Sequence, residues 1–382
     1  MKIRSVDSFV VSPQWLFVRI HTDEGLVGWG EAGIQMHARS VDGAIRNLGE
    51  LLVGANPLPI EAHWQLLRKT GFYRDGCILS SALAAIDEAL WDIAGKAHGV
   101  PVHELLGGPV RDRVRAYVWI AGDDMCEFTP DEVAAETRAR MADGFTAFKM
   151  TPGRMFSVDS PARGEQVVEI IAAVRAAVGP ECDIALDVHG HWSKAMARRL
   201  LPMLEPYQLL FVEEPVLPEY SHVLRELTQL TSLPIATGER LYNRWDFLEV
   251  VQSGVAVIQP DVSQAGGISE TRRIAALAEV YDVSVAPHCP LGPIALASSL
   301  QIDFATPNIL IQEQSISHFG DEFLDYLVDR SVFDLDEGWF RRPELPGLGI
   351  EVDERAVEQA DQKGHSKRNP IWRHDDGSFA EF

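Results

Sequence analysis

Seven apolar segments in the sequence end in ionisable residues, and these endings are where chemistry is most expected. In chain order the endings are Lys149, Asp187 with His189, Glu213 with Glu214, Glu239, Asp261, His288 and Glu313. Charges collected in a confined space are costly unless they are paired or bind a ligand. If the segments are neighbouring strands, the endings predict a functional site rather than a scatter of surface charges.

Three of these residues form a candidate metal site. Asp187, Glu213 and Glu239 follow one another at equal intervals of 26 residues, which predicts three carboxylates in register on neighbouring strands. Such carboxylates repel one another unless a cation lies between them, and oxygen ligands favour Mg²⁺ over Zn²⁺. Only one of two adjacent strand residues points inward, and the spacing favours Glu213, with Glu214 as its supporting neighbour.

Two histidines accompany the carboxylates. Asp187 and His189 are two residues apart, so on a strand both point to the same side. His288 and Asp261 end neighbouring segments, and a carboxylate beside a histidine orients the ring and raises its basicity. His288 is therefore the predicted general base. Cys289 raises a cysteine–histidine alternative, which is disfavoured because adjacent strand residues face opposite ways.

The elements that carry these residues predict an α/β fold. Eight short apolar runs, from "AYVWIAG" to "NILIQEQ", recur at the spacing of βα units and indicate a TIM-type (β/α)7β barrel. Earlier, "TDEG" between alternating apolar segments indicates a hairpin in an N-terminal α+β capping domain. We predict a capping domain over 1–112, the barrel over 113–329, and a segment over 330–382 that packs back on the capping domain.

Composition limits the class of protein. The chain has 382 residues, 46% of them hydrophobic, and a net charge of −22, which argues against nucleic acid and anionic membranes as partners. Residues 283–302 lack Asp, Glu, Lys and Arg but contain three prolines, so a membrane helix is not expected. Four scattered cysteines without a CxxC pair fit a reducing, cytoplasmic setting.

Several longer motifs carry a family resemblance that covers nearly the whole chain. They are "TDEGLVGWGE", "GFYRDG", "FVEEPV", "QPDVSQAGGI", "APHCPLGPIALASSLQIDF", "QEQS" and "NPIWRHDDGSFAEF". With these motifs the chain resembles the enolase superfamily, in its mandelate-racemase-like branch, and within it the sugar-acid dehydratases. The resemblance implies a Mg²⁺-dependent hydro-lyase, a small-molecule sugar acid as substrate, and a homo-oligomer.

The resemblance also implies roles for individual residues. Asp187, Glu213 and Glu239 match the family's magnesium ligands, and His288 with Asp261 matches its base dyad. His189 matches the histidine that many sugar-acid dehydratases keep two residues after the first ligand, where it protonates the leaving hydroxyl. Lys149 matches the first lysine of the Lys-x-Lys seen in racemases, and Glu313 matches the acid near the substrate carboxylate. The capping domain is expected to supply substrate-binding loops, with these candidates: Trp15, Gln35, His37, Tyr73 and Arg74.

Two positions depart from the family pattern and leave alternatives open. Thr151 stands where racemases have a second lysine, which disfavours a racemase or epimerase with opposed bases. Thr151 and His191 both replace residues of the related dehydratases and are expected near the polyol chain of the substrate. The implied substrate is D-galactonate, with gluconate or arabinonate as alternatives. A catalytically silent binding barrel is disfavoured by the complete ligand set.

Overall fold

The computed structural model of the chain describes residues 1–34, 36–121, 128–152, 161–364, 371–374 and 376–381. Within these ranges the chain forms an N-terminal α+β unit, a barrel of parallel strands and a C-terminal segment. The expected α/β fold with a TIM-type barrel and a capping domain is therefore confirmed. The boundaries proposed at 112 and 329 stay predictions.

The N-terminal unit is an antiparallel sheet covered by helices. The strands lie in the order β1-β2-β3, and the hairpin between β2 and β3 contains the predicted turn. Its strands are β1 (Ile3–Val11), β2 (Trp15–Thr22) and β3 (Val27–Ala32). Its helices are α1 (Ala38–Glu50), α2 (Ile60–Lys69), α3 (Cys77–His98) and α4 (Val102–Leu105). The core of this unit is closed mainly by α3, whose small residues pack closely against β3.

The barrel strands follow one another in sequence order and pair in parallel. They are β5 (Val118–Trp119), β6 (Ala147–Met150), β7 (Asp183–Asp187), β8 (Phe211–Glu213), β9 (Ile235–Thr237), β10 (Val257–Ile258) and β11 (Ser284–Val285). Strand β4 (Arg113–Arg115) precedes them in the chain and belongs to a separate sheet. The eighth apolar run closes the ring, because Ile309 bridges to Val285 and Gln312 bridges to Ala116, both in parallel. Carboxyl ends of all these strands therefore meet at one mouth.

Helices surround the barrel. They are α5 (Pro130–Ala142), α6 (Pro161–Val178), α7 (Lys194–Leu204), α8 (Leu224–Leu230), α9 (Arg244–Val251), α10 (Gly267–Val280) and α11 (Pro293–Ala305). Short 3₁₀ helices cover Glu205–Tyr207 and Pro218–Val223. The barrel interior is filled by a layer of small and large apolar side chains, among them Tyr117, Phe211 and Ile311. This buried layer closes the barrel interior beneath the mouth.

The C-terminal segment lies along both other units. Helices α12 (Ile316–Phe319) and α13 (Asp321–Leu324) precede it. The segment comprises a 3₁₀ helix at Arg330–Phe333, β12 (Leu335–Asp336), β13 (Trp339–Arg341) and α14 (Glu354–Lys363). Strand β13 pairs with β4. Helix α14 lies against the sheet edge at β1, where Asp361 accepts a hydrogen bond of 2.8 Å from the backbone of Val10. Across the described ranges, every helix is too short or too polar to cross a membrane.

Candidate active site

The strand endings converge as predicted, but one register differs from the prediction. Asp187 is paired directly with Glu213 across β7 and β8. Glu213, however, is paired with Ala236 rather than with Glu239. Strand β9 ends at Thr237, and Gly238 then bends the chain with a φ of 139° before Glu239 begins the loop. Equal sequence spacing thus put Glu239 in the right region for the wrong reason.

Lys149 lies at the centre of the mouth and is fully buried. Its Nζ is 2.7 Å from Glu213 Oε2, 2.9 Å from Asp187 Oδ2 and 3.3 Å from Glu313 Oε1. Burial alone would lower the pKa of Lys149, but the three carboxylates outweigh it and raise that pKa well above its usual value. The side chain is therefore a fixed positive charge among acids.

The carboxylates around Lys149 carry more negative charge than one lysine can balance, which favours a bound cation. Burial and the charge of Asp187 raise the pKa of Glu213 well above its usual value, and its Oε1 has no hydrogen-bond partner among the described residues. Asp187, His189 and Glu239 each place a ligand atom within 4.8 Å of the other two, a described group that does not include Glu213. Three carboxylates with an unpaired buried oxygen suit a hard divalent ion. The ligand assignment of Asp187, Glu213 and Glu239 stays a prediction.

His288 and Asp261 form a dyad beside these acids. His288 Nδ1 lies 2.8 Å from Asp261 Oδ2, and its Nε2 lies 3.3 Å from Glu239 Oε2. Burial alone would lower the pKa of His288, but Glu239, Asp261 and Glu313 together raise it to about 10. Asp261 is held in turn by the backbone N–H of Ser263, which donates a 2.8 Å hydrogen bond. The ring is thus oriented with Nε2 toward the mouth.

His189 reaches the site by a turn rather than along a strand. Strand β7 ends at Asp187, and His189 has a φ of 49°, inside a turn closed by the N–H of His191 on the carbonyl of Val188. Its Nε2 nevertheless lies 3.1 Å from Asp187 Oδ2. The predicted proximity of Asp187 and His189 is correct, while the expected strand geometry is not. His189 and His288 approach the acidic group through different acids, Asp187 and Glu239.

Glu214 has the supporting position expected of it. It is 1% exposed, and both of its oxygens accept hydrogen bonds from Arg240. Burial and the charge of Glu239 raise the pKa of Glu214 to about 7 despite this partner. Arg240 also packs against Gly190, in the turn that carries His189. No separate pattern in the sequence indicated Arg240 beyond its position next to Glu239.

Trp119 is a site residue that the sequence analysis missed. Its Nε1 donates a 2.9 Å hydrogen bond to Glu313 Oε1, its ring stacks near His189 at 6.2 Å, and Lys149 Nζ lies 4.7 Å from the ring centre. Trp119 is the register partner of Lys149 and ends the first barrel strand. Trp119 ends its strand as the other site residues end theirs, but its side chain is not ionisable.

The remaining predicted residues lie in different settings. Thr151 is buried, and its hydroxyl has no partner among the described residues, whereas His191 is partly exposed. Tyr73 and Arg74 are exposed and line a surface cavity together with Tyr242. The structure places the others as follows: Trp15 packs in an aromatic cluster at 1% exposure, His37 is exposed, and Gln35 lies outside the described residues. Substrate contacts for all seven stay predictions.

The fold and the site define a class. Residues 6–107 match the mandelate racemase / muconate lactonizing enzyme N-terminal domain, and residues 132–356 match the enolase C-terminal domain-like family. The chain belongs to the mandelate racemase / muconate lactonizing enzyme family of the enolase superfamily, whose members bind a metal ion.

Individual relatives resemble the chain over its full length. It is 47% identical over 387 residues to the D-galactonate dehydratase of Variovorax paradoxus and 48% identical to that of Ralstonia nicotianae, with all of each chain covered. A solved structure of an enolase from Agrobacterium radiobacter, with sodium and L-malate bound, is 34% identical with a TM-score of 0.88, again over all of both chains.

Proposed function

We propose that the chain is a Mg²⁺-dependent sugar-acid dehydratase that converts D-galactonate to 2-keto-3-deoxy-D-galactonate. The observation that carries the reaction is the position of two histidines beside one acidic group, His189 at 3.1 Å from Asp187 and His288 at 3.3 Å from Glu239. Loss of water needs a base for one proton and an acid for the leaving hydroxyl. The full-length relatives supply the name of the substrate.

His288 is the base in this proposal. Its Nδ1 is held by Asp261 at 2.8 Å, so Nε2 is the nitrogen that can accept the proton from C2 of the acid. Asp261 fixes the tautomer and stabilises the positive charge that the ring gains. The charge of Glu239 is the largest cause of the raised pKa of His288, so a cation on Glu239 would lower that pKa and leave Nε2 able to accept the proton.

Removal of that proton places extra negative charge on the substrate carboxylate, and fixed positive charge must stabilise it. Asp187, Glu213 and Glu239 would hold Mg²⁺, which supplies such charge when bound. Lys149 supplies a second charge from the same region, and its three acidic contacts hold it in place. Glu313 orients Lys149 and is itself fixed by Trp119.

His189, when protonated, gives a proton to the 3-hydroxyl as the C3–O bond breaks, and water leaves. The resulting enol takes a proton at C3 and loses the proton of its C2 hydroxyl, which gives the 2-keto-3-deoxy acid. Thr151 supports a dehydratase over a racemase, because no second lysine stands at this position to act as an opposed base. A cytoplasmic location and a homo-oligomer are part of the proposal, and three free thiols at Cys77, Cys182 and Cys289 support a reducing compartment.

Steady-state kinetics on galactonate, gluconate, arabinonate and fuconate, with detection of the α-keto product, test the proposal. We expect turnover of galactonate. If galactonate is inert and another acid turns over, the substrate assignment is wrong while the reaction stands. If no acid yields a keto product, the dehydratase assignment is wrong.

The two histidines are separated by a second experiment. His288→Asn is expected to lose both C2 deuterium exchange and dehydration, because the proton must leave before water departs. His189→Asn is expected to lose dehydration more than exchange. Exchange at the parent rate in His288→Asn would contradict its assignment as the base.

A further inference from the structure

Two barrel helices begin directly behind the catalytic dyad. Helix α10 follows the loop that carries Asp261, and α11 follows the loop that carries His288. The cap positions of these helices are Gly266 and Gly292, which have no side chain to accept hydrogen bonds from the first turn. The first N–H groups of a helix have no acceptor within the helix, so they need other acceptors when they are buried. Both helices obtain these acceptors from the capping domain.

Glu31, on β3 of the capping domain, serves helix α11. Its Oε1 accepts a 2.7 Å hydrogen bond from the N–H of Gly292, and its Oε2 accepts one of 2.9 Å from Ala295. The side chain is fully buried, and the backbone of Glu31 is held by Glu88. Both carboxyl oxygens of Glu31 are therefore used at the start of the helix behind His288.

Asp87, on α3 of the capping domain, serves helix α10 in the same way. Its oxygens accept hydrogen bonds of 2.9 Å from the N–H and 2.6 Å from the hydroxyl of Ser269. Asp87 is 2% exposed. The two acids thus reach from one domain to the first turns of two consecutive helices in the other.

On the barrel side, each acid lies against a glycine that has no side chain to block the contact. A Cβ atom on Gly292 would lie 2.7 Å from Glu31 Oε1, and one on Gly267 would lie 2.5 Å from Asp87 Oδ2. Any side chain at either glycine would displace the acid. Burial raises the pKa of Glu31 to about 8 and that of Asp87 to about 7, so both acids are kept at these positions against a desolvation cost.

Short connections link these helix starts to the dyad. The N–H of Ala265 donates to the carbonyl of Asp261 at 2.7 Å, and the amide of Gln264 donates to Asp261 Oδ2 at 2.9 Å. On the other loop, the N–H of Cys289 donates to Glu313 at 2.8 Å. Because these hydrogen bonds tie down the loops between the dyad and the helix starts, we expect a displacement of either start to reach Asp261 or His288.

We propose that Glu31 and Asp87 are positioning residues of the reaction, which hold α11 and α10 so that His288 and Asp261 stay aligned. The inference rests on the proposed function and deepens it by assigning the geometry of the base to the capping domain. The competing explanation is that the two acids only hold the domains together. A matched control exists for that explanation.

Asp92 is the control. It lies on the same helix as Asp87, is also 2% exposed, and accepts hydrogen bonds from the N–H groups of Trp29 at 3.0 Å and Leu348 at 2.9 Å. It therefore joins the capping domain to the C-terminal segment without touching α10 or α11. Asp92→Asn removes a buried acid of the interface and leaves the helix starts behind the dyad intact.

The kinetic test compares Glu31→Gln, Asp87→Asn and Asp92→Asn on the preferred sugar acid. Above the pKa of each acid both carboxyl oxygens accept, whereas an amide offers one acceptor oxygen, so at such a pH the first two variants loosen the helix starts. We expect kcat to fall about tenfold in Glu31→Gln and Asp87→Asn, since small misplacements of catalytic groups are costly. KM should stay within about twofold, and the isotope effect with 2-deuterated substrate should rise as proton removal becomes slower.

Asp92→Asn should keep its kcat within about twofold even where its urea midpoint falls as far as that of the other two. Unchanged kcat in both Glu31→Gln and Asp87→Asn would overturn the proposal. An equal loss of kcat in Asp92→Asn would do the same, since it would show a general effect of the interface.

A crystallographic comparison separates this proposal from the function on which it rests. In Glu31→Gln, His288 and Asp261 should shift relative to the barrel by about 0.5 Å or more, the tolerance of a catalytic geometry. If the parent protein turns over no sugar acid, the proposed function fails, and the shift still decides the positioning role. An unmoved dyad in Glu31→Gln would overturn that role even if the parent protein is active.

Discussion

The burial of Glu31 has a consequence for stability that can be measured without any substrate. Desolvation raises its pKa from 4.5 to about 8 in the folded chain, against the two backbone hydrogen bonds from Ala295 and Gly292, which lower it. The nearby acid Asp261 repels the ionised form further. The folded state therefore binds this proton more tightly than the unfolded state does.

The sign of the effect follows from that difference. Stability from a raised pKa is fully present below the unfolded value, near pH 4.5, and is lost as the pH rises toward the folded value, near 8. Integration between pH 5 and pH 8 gives a loss of on the order of 3 kcal/mol from Glu31 alone. Glu31→Gln has no proton to release there and should lack this part of the pH dependence.

Urea unfolding at pH 5 and pH 8 measures the effect as a difference between two proteins. The free energy of unfolding should fall by about 3 kcal/mol more in the parent protein than in Glu31→Gln. Glu50→Gln, on the exposed side of α1, serves as the control and should follow the parent. The same pH dependence in the parent and in Glu31→Gln would refute the argument.

Three further predictions concern the site. Calorimetric titration should show that Mg²⁺ binding is lost in Asp187→Asn, Glu213→Gln and Glu239→Gln, and unaltered binding in any one of them would contradict its ligand role. In the parent protein, EDTA should inactivate the enzyme reversibly. Arg240→Met should lower the free energy of unfolding by about 3 kcal/mol in urea, because Glu214 is left buried without its partner, and adding Glu214→Gln should restore part of it. Trp119→Phe should lower kcat/KM about tenfold by removing the hydrogen bond to Glu313, whereas Trp245→Phe, half-exposed outside the site, should not.

Strand endings were the part of the site that the sequence could predict. Lys149, Asp187 and Glu213 lie at or next to the ends of regular parallel strands, where the alternation of side chains determines the direction in which each one points. Glu239 and His189 lie just past the strands, where Gly238 and a positive φ at His189 redirect the backbone. The alternation of side chains along a strand does not extend to such positions, although it located both residues in the correct region.

The supporting acids could not be predicted from the sequence. Glu31 lies 261 residues from Gly292, and Asp87 lies 182 residues from Ser269, so no local pattern links them. An acid on a strand or helix ordinarily indicates a solvent-exposed face, and here both acids are buried because a helix start of another domain supplies donors. Barrel closure was predictable from eight repeated runs, whereas this contact depends on how the two units meet.

The contact between α14 and β1 also sets an order of events during protein synthesis. Strand β1 is an edge of its sheet, and Asp361, which meets Val10, is made 351 residues later. At bacterial or eukaryotic elongation rates of about 5–20 residues per second, that separation corresponds to roughly 20–70 s. Through this interval the nascent capping domain presents an uncovered edge strand, a known template for aggregation. A stop codon before residue 354 would produce a chain whose β1 edge is never covered by α14.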